Sequence, residues 1–281
     1  MTWLDPPVSA VRQAVALALA EDLGALGDVT AGLVPEGATV SARLRARAAG
    51  VLAGRRAAEE TFRAVDPAIE VTWYAADGDR LEPEQVIAGV SGPLRSVLTA
   101  ERTALNFLGH LSGVATLTRR YADAAGPRCQ IRDTRKTTPG LRALQKAAVR
   151  AGGGVNHRGS LSEGILVKDN HLAGLTIGEA VARARRRWPG ITVEVECDDL
   201  EQVDAAVAAG ADLVLVDNMT PDEVAAAVRR VAGRAPVEVS GGVTLEAVAA
   251  YAAAGADLIS VGAITHSAPV LDLGLDSGDA G

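Results

Sequence analysis

The chain has 281 residues, of which 48% are hydrophobic and 22% charged, and its formal net charge at pH 7 is -7. This length and composition suit one large α/β domain with a smaller companion domain. The acidic balance argues against nucleic acid as a partner. The amino terminus lacks a basic region, and no apolar run approaches the roughly 18 residues of a membrane span, so a cytoplasmic protein without membrane contact is predicted.

The first part of the chain predicts a mixed α/β region. Apolar residues at Val11, Val15 and Leu19 keep a helical step over residues 9–22. In TVSARLRARA, small or apolar residues alternate with arginines, which predicts a strand with one solvated face. The remaining elements of this part are a helix at GRRAAEETFRAV, strands at IEVTWYA and QVIAGVSGP, and a long helix over residues 97–125.

After Gly126, short apolar strands alternate with alanine-rich helices. The strands are CQIRD, GILVKD, ITVEVEC, DLVLVDN, PVEVSG and DLISVG. This succession predicts a parallel sheet built from right-handed βα units. A barrel and a doubly wound sheet share the pattern. Because no GxGxxG follows a first strand and polar residues recur at the strand ends, a barrel with its active site at that end is favoured.

Basic residues are concentrated in one segment. All three lysines, Lys136, Lys146 and Lys168, fall in it, and between Arg132 and Lys168 eight Lys or Arg stand against two acids, a local charge of +6. Such an inversion within an acidic chain predicts a site for a small anion. Lys168 ends a strand, where a charge needs a partner, whereas Lys146 lies in a helix and is expected on its surface.

Carboxylates occur at the ends of two neighbouring strands. In ITVEVEC, Glu194 and Glu196 share one strand face and the valines share the other. If the valines face the helices, both carboxylates point into the barrel; alternatively, the strand is reversed or the glutamates pair with core arginines. Asp217 ends the next strand. Carboxylates at adjacent strand ends suit ribose hydroxyls or a hydrated magnesium ion.

The last two strands end in VSGG and SVGAIT. Gly241, Gly242 and Gly262 allow backbone amides to approach a ligand, and Ser240 adds a hydroxyl. Loops at this position of a barrel commonly hold a phosphate, although glycine pairs are also ordinary turns.

Oxyanion-binding side chains follow the first strand of the barrel. DTRKTTPGLR supplies Arg135 and Lys136, and the following loop supplies His157 and Arg158. A guanidinium binds a carboxylate or phosphate through two parallel hydrogen bonds, whereas an ammonium acts as a compact point charge.

Several of these motifs together resemble the quinolinate phosphoribosyltransferases. In order along the chain they are EDLGALGDVT, ERTALNFLGHLSGVAT, DTRKTTPGLR, GGGVNHR, VKDNH, VEVEC, LVDN, VSGG and VGAITHS. The resemblance implies an α/β protein with an incomplete (β/α) barrel of the type II phosphoribosyltransferase kind. It places an amino-terminal α/β sandwich at residues 1–112, the barrel at 113–267, and a tail at 268–281 that packs back on the sandwich.

The resemblance also implies a reaction. The family transfers a phosphoribosyl group from phosphoribosyl pyrophosphate (PRPP) to quinolinate with decarboxylation, which gives nicotinate mononucleotide, pyrophosphate and CO2 in de novo NAD biosynthesis. It implies magnesium (Mg2+) as cofactor, bound through PRPP, with Glu196 and Asp217 as the candidate protein ligands. It further implies a homodimer whose active sites are shared between subunits, with higher assembly left open.

Site residues are carried over by motif. The residues implied for quinolinate are Arg135, His157, Arg158, Lys168 and Arg102 of the partner subunit. Those implied for PRPP are Lys136, Glu196, Asp217, Ser240, Gly241, Gly242, Gly262 and His266. Lys136, Lys168, Glu196 and Asp217 are the catalytic candidates. Either Lys168 or His157 is expected to supply the proton after decarboxylation.

The chain departs from the family pattern in the basic loop, where Ser160 and Glu163 replace a common glycine and aspartate. The shape of that loop is therefore left open. Two other functions fit parts of the sequence: a barrel lyase or aldolase with Lys168 as Schiff-base nucleophile, and a non-catalytic oxyanion-binding protein. The intact set of carboxylate-binding and phosphate-binding residues favours the transferase.

Overall fold

The computed structural model of the protein describes residues 4–277. Its helices are α1 Val8–Leu23, α2 Arg55–Val65, α3 Leu94–Ala125, α4 Arg142–Ala151, α5 Asp169–Leu172, α6 Ile177–Arg187, α7 Leu200–Ala208, α8 Pro221–Val231, α9 Val248–Ala253 and α10 Ala263–His266. Its strands are β1 Thr39–Ala46, β2 Gly50–Val51, β3 Glu70–Trp73, β4 Arg80–Leu81, β5 Val86–Pro93, β6 Gln130–Arg132, β7 Ile165–Val167, β8 Val193–Cys197, β9 Leu213–Asp217, β10 Val237–Ser240, β11 Leu258–Ser260 and β12 Leu273–Ser277.

The described residues divide into two compact units. The amino-terminal unit comprises residues 4–119, 137–153 and 264–277, and the barrel unit comprises 120–136 and 154–263. Residues 137–153 thus lie in the amino-terminal unit, although the sequence predicted all of 113–267 as one barrel domain. This segment contains α4, which packs against α1 and contacts His110 of α3.

An antiparallel sheet organises the amino-terminal unit, with strand order β12-β1-β5-β3. In β1, Ala42, Leu44 and Ala46 are buried and the intervening Arg43 is exposed, as the alternating sequence predicted. Leu44 packs in a core with Phe62 of α2. Each buried face of the sheet is therefore set by a period-two pattern, and the helices cover that face.

Residues 269–271 pack against α3 before the chain enters the sheet as β12. Gly109 and Gly113 lie one helical turn apart on α3, and a Cβ atom at either position would overlap the backbone or side chains of residues 269–271. The Leu271 backbone N–H donates to the Gly109 carbonyl at 3.0 Å. β12 then pairs with β1, with Leu275 opposite Leu44. Gly109 and Gly113 therefore let residues 269–271 lie directly against α3, which positions β12 to pair with β1.

Gly113→Ala tests this close approach. An alanine in a helix interior is ordinarily about 1 kcal/mol more favourable than glycine, but overlap with the Pro269 carbonyl should cost about 1–3 kcal/mol or more. We expect a lower Tm in thermal unfolding. Gly32→Ala is the control, because a Cβ atom there meets nothing within 4 Å. A Gly113→Ala variant as stable as the parent would contradict the packing described.

Helix α4 is buried over most of its circumference. Every residue from Leu144 to Val149 is buried, and Lys146 is only 6% exposed. The prediction that Lys146 is a surface residue is therefore wrong. Gln145 shows why: its Nε2 lies 2.9 Å from His110 Nε2 and donates to the Thr265 carbonyl at 2.8 Å. Neighbours distant in sequence enclose this helix, and helical periodicity alone does not show them.

A six-stranded parallel sheet forms the barrel unit, in the order β6-β11-β10-β9-β8-β7. The first strand in sequence lies beside the last, which is the order of a ring rather than of a doubly wound sheet. On its other side β6 makes an isolated bridge, from Arg132 to Val155, instead of a ladder with β7. The prediction of an incomplete α/β barrel is confirmed. Among residues 4–277, no helix is long and apolar enough to cross a membrane.

Candidate active site

The two glutamates of β8 lie on the concave face of the barrel sheet. Glu194 Oε2 is 3.0 Å from His157 Nε2, and Glu196 pairs with Lys168. His157 Nε2 is also 4.0 Å from Glu238 Oε1 on β10, a strand separated from β8 by β9. Glu194 and Glu238 therefore approach the same imidazole from strands that are not neighbours, which is possible only on the inner face of a curved sheet. The carboxylates of β8 thus face the interior, as their alternation with valines predicted.

A buried ion pair joins β6 to β10, which lie on either side of β11 in the sheet. Glu238 is completely buried, and its carboxylate accepts hydrogen bonds from Arg132 of β6 and from the Ser260 hydroxyl of β11. Burial raises the pKa of Glu238; the nearby charge of Glu194 adds to this effect, and Arg132 opposes it. We refer to Arg132, His157, Glu194, Glu238 and Ser260 as the interior network.

His157 is held at three points. Its backbone N–H donates to Asp133 Oδ1 at 2.8 Å, and its Nδ1 accepts the backbone N–H of Arg158 at 2.8 Å. Its Nε2 faces Glu194 Oε2. Because Nδ1 accepts and Nε2 faces a carboxylate, the hydrogen bonds assign the neutral tautomer with the proton on Nε2. Asp133 also accepts from Asn156 Nδ2 at 2.6 Å, which fixes the start of the basic loop.

Arg135 and Arg158 bring two guanidinium groups into mutual repulsion. Burial lowers the pKa of Arg158, the charge of Arg135 lowers it further, and Glu194 acts in the opposite sense. Arg158 is half-buried, whereas Arg135 is exposed. An anion between two cations removes their repulsion and gains attraction from both. This pair is therefore suited to a carboxylate or a phosphate.

Lys168 stands at the border between the interior and solvent. It precedes α5, its side chain is 38% exposed, and its Nζ donates to Glu196, whose side chain is 14% exposed. Its backbone N–H donates to His171 Nδ1 at 3.1 Å, which fixes the main chain at this strand end. The ammonium therefore has a carboxylate partner on one side and remains partly accessible to a ligand.

The ends of β9 and β10 are linked through Asn218. Asp217 and Ser240 are register partners, and Asn218 donates from its backbone to the Ser240 carbonyl at 3.0 Å and from Nδ2 to Asp217 Oδ2 at 2.6 Å. A Cβ atom on Gly241 would collide with the Asn218 side chain, whereas Gly242 has open space around it and a φ of +57°. One glycine is thus required by packing and the next by backbone conformation.

Most of the predicted site residues belong to the barrel unit. They are Arg135, Lys136, His157, Arg158, Lys168, Glu196, Asp217, Ser240, Gly241, Gly242 and Gly262. Arg102 and His266 lie in the amino-terminal unit, where both are exposed. His266 Nδ1 is 2.6 Å from Ser267 Oγ. The roles of these two residues stay predictions.

Four further residues of the site were not predicted from the sequence: Arg132, Asp133, Asn218 and Glu238. A signal for Glu238 was present, because PVEVSG repeats the alternation of ITVEVEC and places a glutamate on the inner face of another strand. No comparable signal marks Asp133, whose importance comes from contacts with residues of the next loop.

Comparison with known proteins agrees with this arrangement. The family model described as "Quinolinate phosphoribosyl transferase, C-terminal domain" matches residues 114–276, and the corresponding N-terminal domain matches residues 28–112. A nicotinate-nucleotide pyrophosphorylase [carboxylating] of Mycobacterium leprae is 45% identical over 97% of this chain and 99% of its own. A probable enzyme of the same name from Bacillus subtilis is 40% identical over 91% and 89% of the two chains.

The chain belongs to the quinolinate phosphoribosyl transferase family.

Solved structures show the same relationship. The nicotinate-nucleotide pyrophosphorylase of Francisella tularensis has a TM-score of 0.93 and 38% identity, and it covers 97% of this chain and 98% of its own. That of Ehrlichia chaffeensis has a TM-score of 0.89 and 36% identity over 94% and 97% of the two chains. The likeness therefore extends over both the sandwich and the barrel of a quinolinate phosphoribosyl transferase.

Three side chains of the interior network offer ligand atoms that a cation could use. One ligand atom each from His157, Glu194 and Glu238 lies within 4.8 Å of the others. Both oxygens of Glu238, however, already accept hydrogen bonds from Arg132 and Ser260. A guanidinium at this place supplies the positive charge that a metal ion would bring, so the contacts describe a hydrogen-bonded network.

Glu238→Gln tests the buried ion pair. The amide preserves the shape and can still accept one hydrogen bond, but Arg132 loses its carboxylate inside the barrel. Removal of one partner from a buried ion pair typically costs about 3–5 kcal/mol, and we expect a correspondingly lower Tm in calorimetry. Glu201→Gln, an exposed change of the same type on α7, is the control. Equal Tm values for the two variants would contradict the structural role of the pair.

Proposed function

We propose that the barrel unit transfers the phosphoribosyl group of PRPP to quinolinate with loss of CO2, which gives nicotinate mononucleotide and pyrophosphate for NAD biosynthesis. Membership of the family supports this reaction, since the family models match residues 28–112 and 114–276. The observation that carries the proposal is the arrangement of charges: two guanidiniums and an ammonium follow β6 and β7, and carboxylates and a glycine turn end β8, β9 and β10.

Quinolinate is a dicarboxylate, and we assign its binding to Arg135, Arg158 and Lys168. The repulsion between the two guanidiniums and the partial exposure of the ammonium support this assignment. A carboxylate fits a guanidinium fork through two hydrogen bonds. His157 acts through Arg158, because both ring nitrogens already have partners.

PRPP is assigned to the ends of β8, β9, β10 and β11, together with Lys136 after β6. Asp217 and Glu196 suit the ribose hydroxyls, and Lys136 suits the departing pyrophosphate. The turn that holds Ser240, Gly241 and Gly242 suits the 5'-phosphate, because small residues let backbone N–H groups approach an anion. Gly262 and His266 complete the predicted set.

Magnesium binding is a further part of the proposal. Asp217 fits a hydrated magnesium ion, since it is partly exposed and its described side-chain partner is the neutral amide of Asn218. Glu196 fits less well because the Lys168 ammonium already balances its charge. When bound, magnesium would help to neutralise the pyrophosphate of PRPP.

The chemistry requires orientation and charge stabilisation, with no covalent enzyme intermediate. The pyridine nitrogen donates its electron pair to the anomeric carbon while the bond to pyrophosphate breaks, and the sugar gains oxocarbenium character. Glu196 and Asp217 stabilise that developing cation, and the basic side chains hold the nucleophile in line.

Decarboxylation follows from the charge of the ribosylated ring. The bond to the adjacent carboxylate breaks, CO2 leaves, and its electron pair remains on a ring carbon beside the cationic nitrogen. Between the two predicted proton donors, Lys168 is favoured over His157, whose nitrogens are both engaged. The ion pair between Lys168 and Glu196 argues against an aldolase, because a lysine that forms a Schiff base must first lose its proton, and the carboxylate stabilises the protonated form.

A homodimer with shared active sites is proposed from two features of the amino-terminal unit. Arg102 is exposed on α3, where a second subunit can receive it. Leu17, Leu26 and Leu33 are 71%, 87% and 83% exposed, and a second subunit would remove such apolar side chains from water. A cytoplasmic location is proposed with it, supported by the free, buried thiols of Cys129 and Cys197.

The reaction is tested with quinolinate labelled in the carboxyl group that is lost. We expect labelled CO2 only when PRPP and magnesium are both present, in equal amount to nicotinate mononucleotide. A parallel incubation with borohydride and carbonyl substrates tests the lyase. Labelled CO2 released without PRPP, or not released at all, would overturn the proposed function.

Arg135→Lys tests the guanidinium fork. The variant keeps the positive charge but loses bidentate binding, so quinolinate affinity should fall about tenfold, which corresponds to about 1.4 kcal/mol. Affinity for PRPP should stay near that of the parent. Titration calorimetry with each substrate measures both values.

Asp217→Asn provides the matched contrast. It should lower turnover more than quinolinate affinity, because the carboxylate is assigned to the developing sugar cation. If the Arg135→Lys variant binds quinolinate as the parent does, or if Asp217→Asn weakens only quinolinate binding, the assignment of the two substrates is wrong.

A further inference from the structure

The basic loop after His157 is closed by its own acidic residue. Glu163 Oε2 accepts the backbone N–H of Gly159 at 2.7 Å, and Glu163 Oε1 accepts the hydroxyl of Ser160 at 3.1 Å. Ser160 thus supplies a hydrogen-bond donor to Glu163, and both residues belong to the loop whose shape the sequence left open. We call these contacts the Glu163 clasp.

A second contact closes the same loop in the opposite direction. Arg158 Nη1 donates to the Gly164 carbonyl at 2.7 Å. Arg158 thus binds the residue after Glu163, while Glu163 binds the residue after Arg158. Gly159 permits the close approach, since a Cβ atom there would lie 3.2 Å from both oxygens of Glu163. The seven residues from 158 to 164 form a ring closed by two reciprocal hydrogen bonds.

The clasp restrains a side chain that electrostatics would otherwise displace. Arg158 is half-buried, and Arg135 repels it when no anion lies between them. Its backbone is held on the amino-terminal side by His157 Nδ1 and on the carboxyl-terminal side by the clasp through Gly159. The Arg158 guanidinium is itself held by the Gly164 carbonyl, and an arginine restrained at backbone and side chain loses less conformational freedom when it binds a carboxylate.

We propose that Glu163 is a positioning residue for quinolinate, which acts through Arg158. The proposal rests on the proposed function, since it assumes that Arg158 binds a quinolinate carboxylate. The charge of Glu163 and its hydrogen bonds should have opposite effects on the affinity for quinolinate. An acid near an anion site weakens anion binding through its charge, so its removal should improve binding. If the clasp matters more than the charge, loss of Glu163 should weaken binding instead.

Two substitutions separate charge from geometry. Glu163→Gln removes the charge, but its amide oxygen can accept from Gly159 and its amide nitrogen can donate to the Ser160 hydroxyl. Glu163→Ala removes the charge and both hydrogen bonds. We expect the KM for quinolinate to rise roughly fivefold or more in Glu163→Ala and to stay level or fall in Glu163→Gln. The kcat and the KM for PRPP should stay within about twofold in both.

Controls address the loop as a whole. Leu161→Ala changes the tip of the same loop, where Leu161 is 70% exposed, and should leave every constant unchanged. Ser160→Ala removes one of the two contacts and should give a smaller rise in KM than Glu163→Ala. All variants should keep the Tm of the parent, because the contacts are exposed.

The possible results decide between the two proposals. If the parent releases CO2 from quinolinate with PRPP, and Glu163→Ala has the same KM as Glu163→Gln, charge alone operates and the clasp proposal is overturned. A Glu163→Ala variant whose kcat falls at constant KM overturns it as well. A parent without this activity overturns the proposed function, whatever the variants do.

Discussion

Charged side chains can occupy the interior of a parallel barrel only if each has a partner there, and the pairing of Glu238 with Arg132 meets this condition. The pair joins β10 to β6, and Ser260 adds a contact from β11. Glu194 extends the network to His157, which in turn holds the backbone of Arg158. The position of Arg158, which is proposed to bind an anion, thus depends on a chain of contacts that begins at the buried Glu238 carboxylate.

Much of the barrel could be predicted from sequence because its signals are local. Alternation in ITVEVEC fixes which side chains share a face, and this pattern correctly placed Glu194 and Glu196 in the interior. The regular alternation of strands and helices predicted a parallel sheet, and the polar residues at the strand ends favoured the barrel over the doubly wound alternative. Each of these inferences needs only the residues within one element or at its end.

The inferences that failed needed contacts between distant segments. Helical periodicity predicted Lys146 on the protein surface, but α4 is buried over most of its circumference. The +6 segment divides between the two units: Arg142, Lys146 and Arg150 lie in the amino-terminal unit, and Arg132 of the barrel unit pairs with Glu238. Charge counted along the chain measures neither burial nor pairing. The proposed anion site therefore uses only part of this segment, namely Arg135, Arg158 and Lys168.

The place of β12 has a consequence for the order in which the protein can be made. This strand is an edge of the amino-terminal sheet and pairs with β1, yet all six strands of the barrel sheet, β6 to β11, lie between the two in the chain. Until the barrel strands have been synthesised, β1 therefore presents unpaired backbone groups along one side. The first sheet to be synthesised is therefore the last to be completed, and the growing chain must protect an open strand edge while the barrel is made.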